Sequence, residues 1–275
     1  MNFDEAAIST AIIRGYHEKL RHSVVSDVIV VGAGPSGLVA AADLATSLLR
    51  VTLIESRLTT GGGIWGGAMG MNEVVLQAEA LPLLEEAGVR TRRLSAHLLR
   101  VDAVELAAAL TVRASRSGVT VLNMLTVEDL ALHEGQVTGV AVNRSGLVGS
   151  LPIDPLTLRA RVVIDATGHD ASLVRMLSRR GLLPGDIANA EGPMNAPEGE
   201  RFVVDRSGEV FPGLYLCGMA VCATWGGPRM GPIFGGMLLS GRRCAAQIAS
   251  ALRHRPPEAP AAASASSTPV TVPVL

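Results

Sequence analysis

Lysine is nearly missing from this chain of 275 residues: Lys19 is the one lysine among 24 basic residues, the rest being arginine. A Walker-type P-loop needs a lysine directly after its glycine-rich turn, so that motif is excluded. Schiff-base chemistry is argued against as well, because Lys19 lies in a polar N-terminal segment and not in an apolar pocket. Cysteine is sparse. Cys217, Cys222 and Cys244 are odd in number and have no CxxC spacing, which speaks against a disulfide framework or structural zinc and fits a reducing compartment. Charge of one sign is lacking too. The 24 basic and 25 acidic residues leave a net charge of −1, so the chain as a whole carries no electrostatic footprint for nucleic acid. Long apolar runs are absent although 48% of residues are apolar. The best candidates are cut by Asp27, Asp43 or Gly–Pro pairs well short of the roughly 18 residues of a membrane span. The opening MNFDEAAISTAIIRGYHEKLRH mixes acids and bases and has no signal-peptide core. The expectation is a soluble cytoplasmic protein with no membrane partner. Its surplus apolar content would go to a buried parallel sheet, to subunit interfaces, or to both.

What is present has a clear order. Residues 4–21 place Ile8, Ile12, Ile13, Tyr16 and Leu20 at helical spacing. Asp27–Val31 reads as a buried strand that enters Gly32-Ala-Gly34-Pro-Ser-Gly37, followed by an Ala/Leu-rich helix to about Leu49 and a second strand, Val51–Glu55. This β-turn-α-β start predicts a doubly wound α/β fold of the two-dinucleotide-binding, Rossmann-like type, with a parallel central sheet and a small inserted β region. Further on, 73–87 and 102–117 are expected as helices. The stretches 119–123, 136–143, 159–166, 201–204 and 209–217 are expected as strands, and 237–252 as a closing helix. Residues 181–200 and 224–236, rich in Gly and Pro, read as loops. One dinucleotide-binding domain over 1–253 is expected, with its N-terminal helix within 1–22. Residues 254–275, rich in Pro, Ala and Ser, read as a disordered tail.

A GxGxxG pattern alone is weak, but here it follows a strand, opens a helix and precedes an acid, Glu55, at the end of the next strand. Gly32 would make the tight turn, Gly34 would let backbone approach a pyrophosphate, and Gly37 would let helix pack on strand. The helix N-terminus offers free N–H groups to phosphate. Glu55 would accept hydrogen bonds from ribose hydroxyls and repel a 2′-phosphate, which favours NAD or FAD over NADP. The cluster Gly61-Gly62-Gly63-Ile-Trp-Gly66-Gly67 is either a flexible loop or a wrap around the dinucleotide. His169, in Asp165-Ala-Thr-Gly168-His169-Asp170, is either a structural imidazole or a ligand or acid/base group at a strand end where ligands bind. Asp154, in Pro152-Ile-Asp154-Pro155, belongs to a turn and matters only if it faces a site. Arg229, in GGPRMGPIFGG, is a surface charge or a clamp for a carboxylate.

Taken together, DVIVVGAGPSGL, GGGIWGG, IDPLT, DATGHDA, PGLYLCGMA and GPRMGPIFGGMLLSG, in that order, resemble the thiazole synthase family of thiamine biosynthesis, and within it the archaeal, sulfide-dependent branch. The likeness runs from about Ala11 to about Ile248. It implies an enzyme that consumes NAD as a substrate. Nicotinamide leaves, the ADP-ribose opens to a ketone, glycine condenses, sulfur is added, and an ADP-linked thiazole carboxylate results. Carried over by resemblance, Ser36, Glu55, Ser56, Gly63, Val127, Pro152, Asp154 and Met219 would contact the nucleotide-derived substrate. Asp154 and His169 would hold Fe(II), with Asp154 reaching a neighbouring protomer of a homo-octamer, and Arg229 would hold glycine. One Asp and one His leave positions open for sulfide. Where the family carries Cys or His, two positions before Asp154, this chain has Pro152, and Arg144 stands where a tryptophan is expected. Proline has no sulfur to give, so the sulfide-dependent route is the family chemistry that remains. Two other readings use the same motifs: an FAD-dependent oxidoreductase of this fold, and a catalytically degenerate homologue that binds an adenylated metabolite.

Overall fold

The computed structural model describes residues 3–146, 153–183, 187 and 190–253, so Pro152 and the tail 254–275 lie outside the described residues. Helix α1 (Glu5–Ser23) starts where the Asp4 carboxylate accepts the Ala7 N–H at 2.8 Å, with Glu5 in its first turn and Arg21 and His22 in its last, each matching the helix dipole. The apolar stripe on this helix is only half covered. Tyr16 and Leu20 pack on the core, whereas Ile8, Ile12 and Ile13 stay exposed.

Strand β1 (Val25–Val31) leads into α2 (Pro35–Thr46) and β2 (Val51–Glu55), as the sequence predicts. The following stretch departs from it. The helix expected over 73–87 is instead β3 (Glu73–Gln77) and then α3 (Leu81–Glu86). Val74 and Leu76 alternate with half-exposed neighbours, a period of two that suits a strand, and the segment pairs antiparallel with β5 (Leu98–Asp102) after the short β4 (Arg92–Arg93). These three strands form a small separate sheet, the inserted β region. Helix α4 (Ala103–Arg116), capped by Asp102, and β6 (Thr120–Asn123) fall where expected. Strand β7 (Leu125–His133), which the sequence reading leaves unassigned, forms a hairpin with β8 (Gln136–Arg144), turning at Glu134 and Gly135.

Strand β9 (Leu156–Asp165) is the longest partner of β1, and α5 (Ser172–Ser178) follows it. Within the expected loop 181–200 a short strand, β10 (Gly192–Met194), appears. The strand expected at 201–204 is instead the second half of α6 (Ala196–Asp205), whose start is fixed by Asn195 as cap and Pro197 in the first turn. The expected strand 209–217 is two strands, β11 (Gly208–Phe211) and β12 (Leu214–Leu216), folded back at Pro212-Gly213 with Gly213 at φ +80°. The glycine-rich stretch near 224–236 takes in the end of α7 (Met219–Trp225), the two-residue β13 (Pro228–Arg229) and the start of α8 (Gly235–Arg253).

The main sheet runs β11-β12-β9-β1-β2-β6, with β8 against the first half of β9 and β7 beyond it. From β12 to β6 every neighbouring pair is parallel. On β1, Val28 and Val30 join the core shared with α2, α4 and α8, while Ile29 and Val31 join the core on the opposite face. A strand buried on both faces explains the unbroken apolar run that marks it in the sequence. Among the described residues no helix is long and apolar enough to cross a membrane.

Candidate active site

The parallel strands share one direction, and the loops leaving the carboxyl ends of β1, β2, β9 and β12 line a single cleft of about 700 Å³. Strand β1 lies between β2 and β9, so the chain departs to opposite sides at its end and opens a crevice there. Gly32 and Gly34 line this cleft, as do Ser36, Glu55 and Ser56. So do Gly63, Val127 and Met219, and at the far end His169 and Arg229. Gly37 sits behind the wall. A Cβ on it would come 1.9 Å from the Gly32 carbonyl oxygen, so only glycine lets α2 lie this close to the turn.

The end of the cleft formed by the GxGxxG turn is bonded in advance. Gly32 takes φ +103°, and its N–H donates to the Ile54 carbonyl at 2.8 Å. Among the described residues no side chain caps α2, so its first amides stay available to an anion. Glu55 is buried. Its Oε2 accepts the Ala33 N–H at 2.9 Å and its Oε1 the Arg57 N–H at 2.8 Å, leaving further lone pairs for donors in the cleft. The second glycine cluster is ordered, since Gly62–Gly66 form a 3-10 turn pinned by the buried Ile64, and the Gly61 N–H donates to Ala33 at 2.7 Å.

The other end is built on Asp165. This fully buried carboxylate accepts from Thr167 N–H and O–H at 3.0 and 2.7 Å, and from the Leu173 and Val174 N–H groups at 2.9 and 3.1 Å. Burial pushes its pKa up, and these hydrogen bonds oppose that rise. The result is a fixed turn at Thr167-Gly168 that delivers His169 to the cleft. His169 and Arg229 are joined by Glu191, which the sequence reading does not single out. Its Oε1 hydrogen-bonds His169 Nδ1, and its Oε2 faces Arg229 Nε at 3.2 Å. The parallel pairing of β10 with β13 brings Glu191 there, through Gly192 N–H to Gly227 O at 2.8 Å and Asn195 N–H to Arg229 O at 3.0 Å.

Asp154 is exposed and does not line the cleft of its own chain. Among the described residues, no three His, Cys, Asp or Glu side chains gather as a metal-binding group. Cys217 is a core residue, and all three cysteines are free and buried. Burial, reinforced by the charges of Glu191 and Glu200, pushes the Cys222 thiol up to about 12.

A mainly parallel sheet with a glycine-lined, acid-terminated cradle at its switch point defines a Rossmann-like α/β protein. The model of the Thi4 family matches residues 9–234, and the chain belongs to that family. It is 48% identical over 254 residues to the thiamine thiazole synthase of Thermotoga maritima, covering 92% of this chain and all of that protein. It is 46% identical over 253 residues to that of Pyrococcus horikoshii, covering 90% of this chain and 98% of the other. The crystal structure of Thermovibrio ammonificans THI4 superposes with a TM-score of 0.89 at 43% identity, over 92% of this chain and all of that one. These likenesses support an enzyme of thiamine biosynthesis with thiamine thiazole synthase as its function.

Proposed function

We propose that this chain makes an ADP-linked thiazole carboxylate from NAD, glycine and sulfide. The observation that carries the reading is that one cleft joins a preformed nucleotide cradle to the His169–Glu191–Arg229 cluster. In this reading the α2 amides take the pyrophosphate, Glu55 takes the ribose hydroxyls, and Arg229 takes the glycine carboxylate through its terminal guanidinium nitrogens. That placement sets the amine of glycine against the ketone derived from the nicotinamide ribose.

The sulfur comes from outside the protein. Pro152 has none to give, and the three cysteines are buried, Cys222 with its thiol held protonated. For Fe(II) the donor set fits in part within one chain. His169 has Nδ1 occupied by Glu191, which leaves Nε2 as the ligating atom. Asp154, exposed and away from its own cleft, would complete the site of a neighbouring copy in a homo-octamer, an assembly consistent with the bare Ile8, Ile12 and Ile13. Held there, Fe(II) would supply a coordination position for sulfide.

The test is to denature freshly purified protein and take the mass and absorption spectrum of what is released, then to supply NAD, glycine, sulfide and Fe(II) anaerobically. An adenylated thiazole or its NAD–glycine precursor is expected, with turnover that needs all four additions. Released FAD would overturn the reading in favour of an oxidoreductase. Tight ADP-ribose binding without turnover would mark a degenerate homologue.

A further inference from the structure

The geometry points to Glu191 as the positioning residue of the reaction centre, one carboxylate that sets both the tautomer of His169 and the place of Arg229. This rests on the function proposed above and adds to it a residue for which no role is otherwise assigned. Glu191 is itself only 11% exposed, whereas the side chains it holds are 61% and 57% exposed. Two exposed, rotatable groups are therefore anchored by one largely covered acceptor. Among the described residues, nothing bonds His169 Nε2 or the terminal nitrogens of Arg229.

The chemistry of the two bonds is unequal. Arg229 Nε always carries a hydrogen and donates only, whereas His169 Nδ1 either donates or accepts. A carboxylate has two acceptors and satisfies both as donors, which puts the imidazole proton on Nδ1 and leaves Nε2 as the lone-pair nitrogen. A glutamine at the same place has one acceptor. Its oxygen must go to Arg229, its NH₂ must face His169, and the imidazole must move its proton to Nε2. The nitrogen needed toward the cleft is then blocked, although the size and shape of the side chain are nearly unchanged.

Magic-angle-spinning ¹⁵N spectra of histidine-labelled, unliganded protein read this directly, with His169→Asn assigning the His169 resonances among those of six histidines. At a pH where the ring is neutral, the wild type should show a protonated Nδ1 and an unprotonated Nε2, and Glu191→Gln should exchange the two. An unchanged pattern in Glu191→Gln would overturn the proposal. In turnover, Glu191→Gln should lose about 10- to 100-fold in kcat/KM for glycine while NAD affinity stays within about twofold, and Glu191→Asp, which keeps both acceptors, should recover part of the loss. Equal losses of NAD affinity and turnover in both variants would show a merely structural role. The spectra need no substrate. A tautomer exchange in a protein that makes no thiazole would sink the proposed function and leave the positioning role standing.

Discussion

The two ends of the cleft are held in opposite ways. At the end formed by the GxGxxG turn the lining is mostly backbone or buried side chain, and its bonds are already made: Gly32 to Ile54, Gly61 to Ala33, Glu55 to two amides. At the other end His169 and Arg229 are more than half exposed and depend on one carboxylate. The first end therefore needs no rearrangement to bind, and a change there is felt by the whole fold. The second end is supported locally, so a change there should reach the chemistry and leave the fold alone. Asp165 marks the boundary. It is bonded like the first end, yet what it fixes is the turn that carries His169.

The largest effect should come from His169→Ala. Turnover should fall at least about 1,000-fold, within the range over which a positioned acid, base or ligand acts, while ADP-ribose affinity and Tm stay near wild type. Product formation by mass spectrometry, calorimetric titration and a melting curve check the three parts. Full activity would remove His169 from the reaction. Glu55→Ala should do the reverse. It strips the acceptor from the buried Ala33 N–H, at about 1–3 kcal/mol, while the exposed Arg57 N–H can turn to water, so stability and nucleotide affinity should drop together. A Glu55→Ala protein that melts like wild type would break the contrast between the ends.

Arg229→Ala comes next. A charge-assisted pair is worth about 1.5–3 kcal/mol, so the KM for glycine should rise roughly 10- to 150-fold with the KM for NAD unchanged. Initial rates over a glycine series decide it, and unchanged glycine dependence would take Arg229 out of the site. The variant should keep its Tm, because the pair it breaks is exposed on the Arg229 side.

The same contrast explains what could be read from the sequence. Gly32, Gly34, Gly37 and Glu55 lie within one β-turn-α-β unit, where spacing along the chain equals position in space, and all but Gly37 line the cleft. His169 is legible because it follows a buried strand. Glu191 is not, because it gains its meaning only when β10 pairs with β13 and sets it against a histidine 22 positions away. The errors in secondary structure have the same origin. The alternation of Val74 and Leu76 is masked in the sequence by the equally apolar Val75 between them and emerges only when β5 lies beside the strand, and the exposed Ile8, Ile12 and Ile13 are apolar residues that this chain alone does not bury. The start of α6 is a different case: Asn195, Pro197 and Glu198 are residues that open a helix, a local signal that the reading of this stretch as loop and strand passes over.

The smallest expected effect sharpens the contrast from the frame side. Glu200, on α6, is buried beneath the first turn of α8. Its Oε2 accepts the Gly236 N–H at 2.6 Å, and its Oε1 has no hydrogen-bond partner among the described residues. Burial raises its pKa from 4.5 to about 7, the Gly236 N–H works against that rise, and the charge of Glu79 adds to it. The folded pKa is above the unfolded one. Between pH 4.5 and about 7 the folded chain keeps a proton that the unfolded chain has released, so stability falls as pH rises through that window. The shift corresponds to on the order of 2–3 kcal/mol once partial solvent access is allowed for. Glu200→Gln, neutral throughout, should match wild type near pH 4.5, exceed it by about 2 kcal/mol above pH 7, and bind ADP-ribose equally well at both. Denaturant melts at a series of pH values provide the measurement. Parallel stability curves for the two proteins would show that Glu200 is ionised in the fold after all, and that the frame carries no titrating group at this junction.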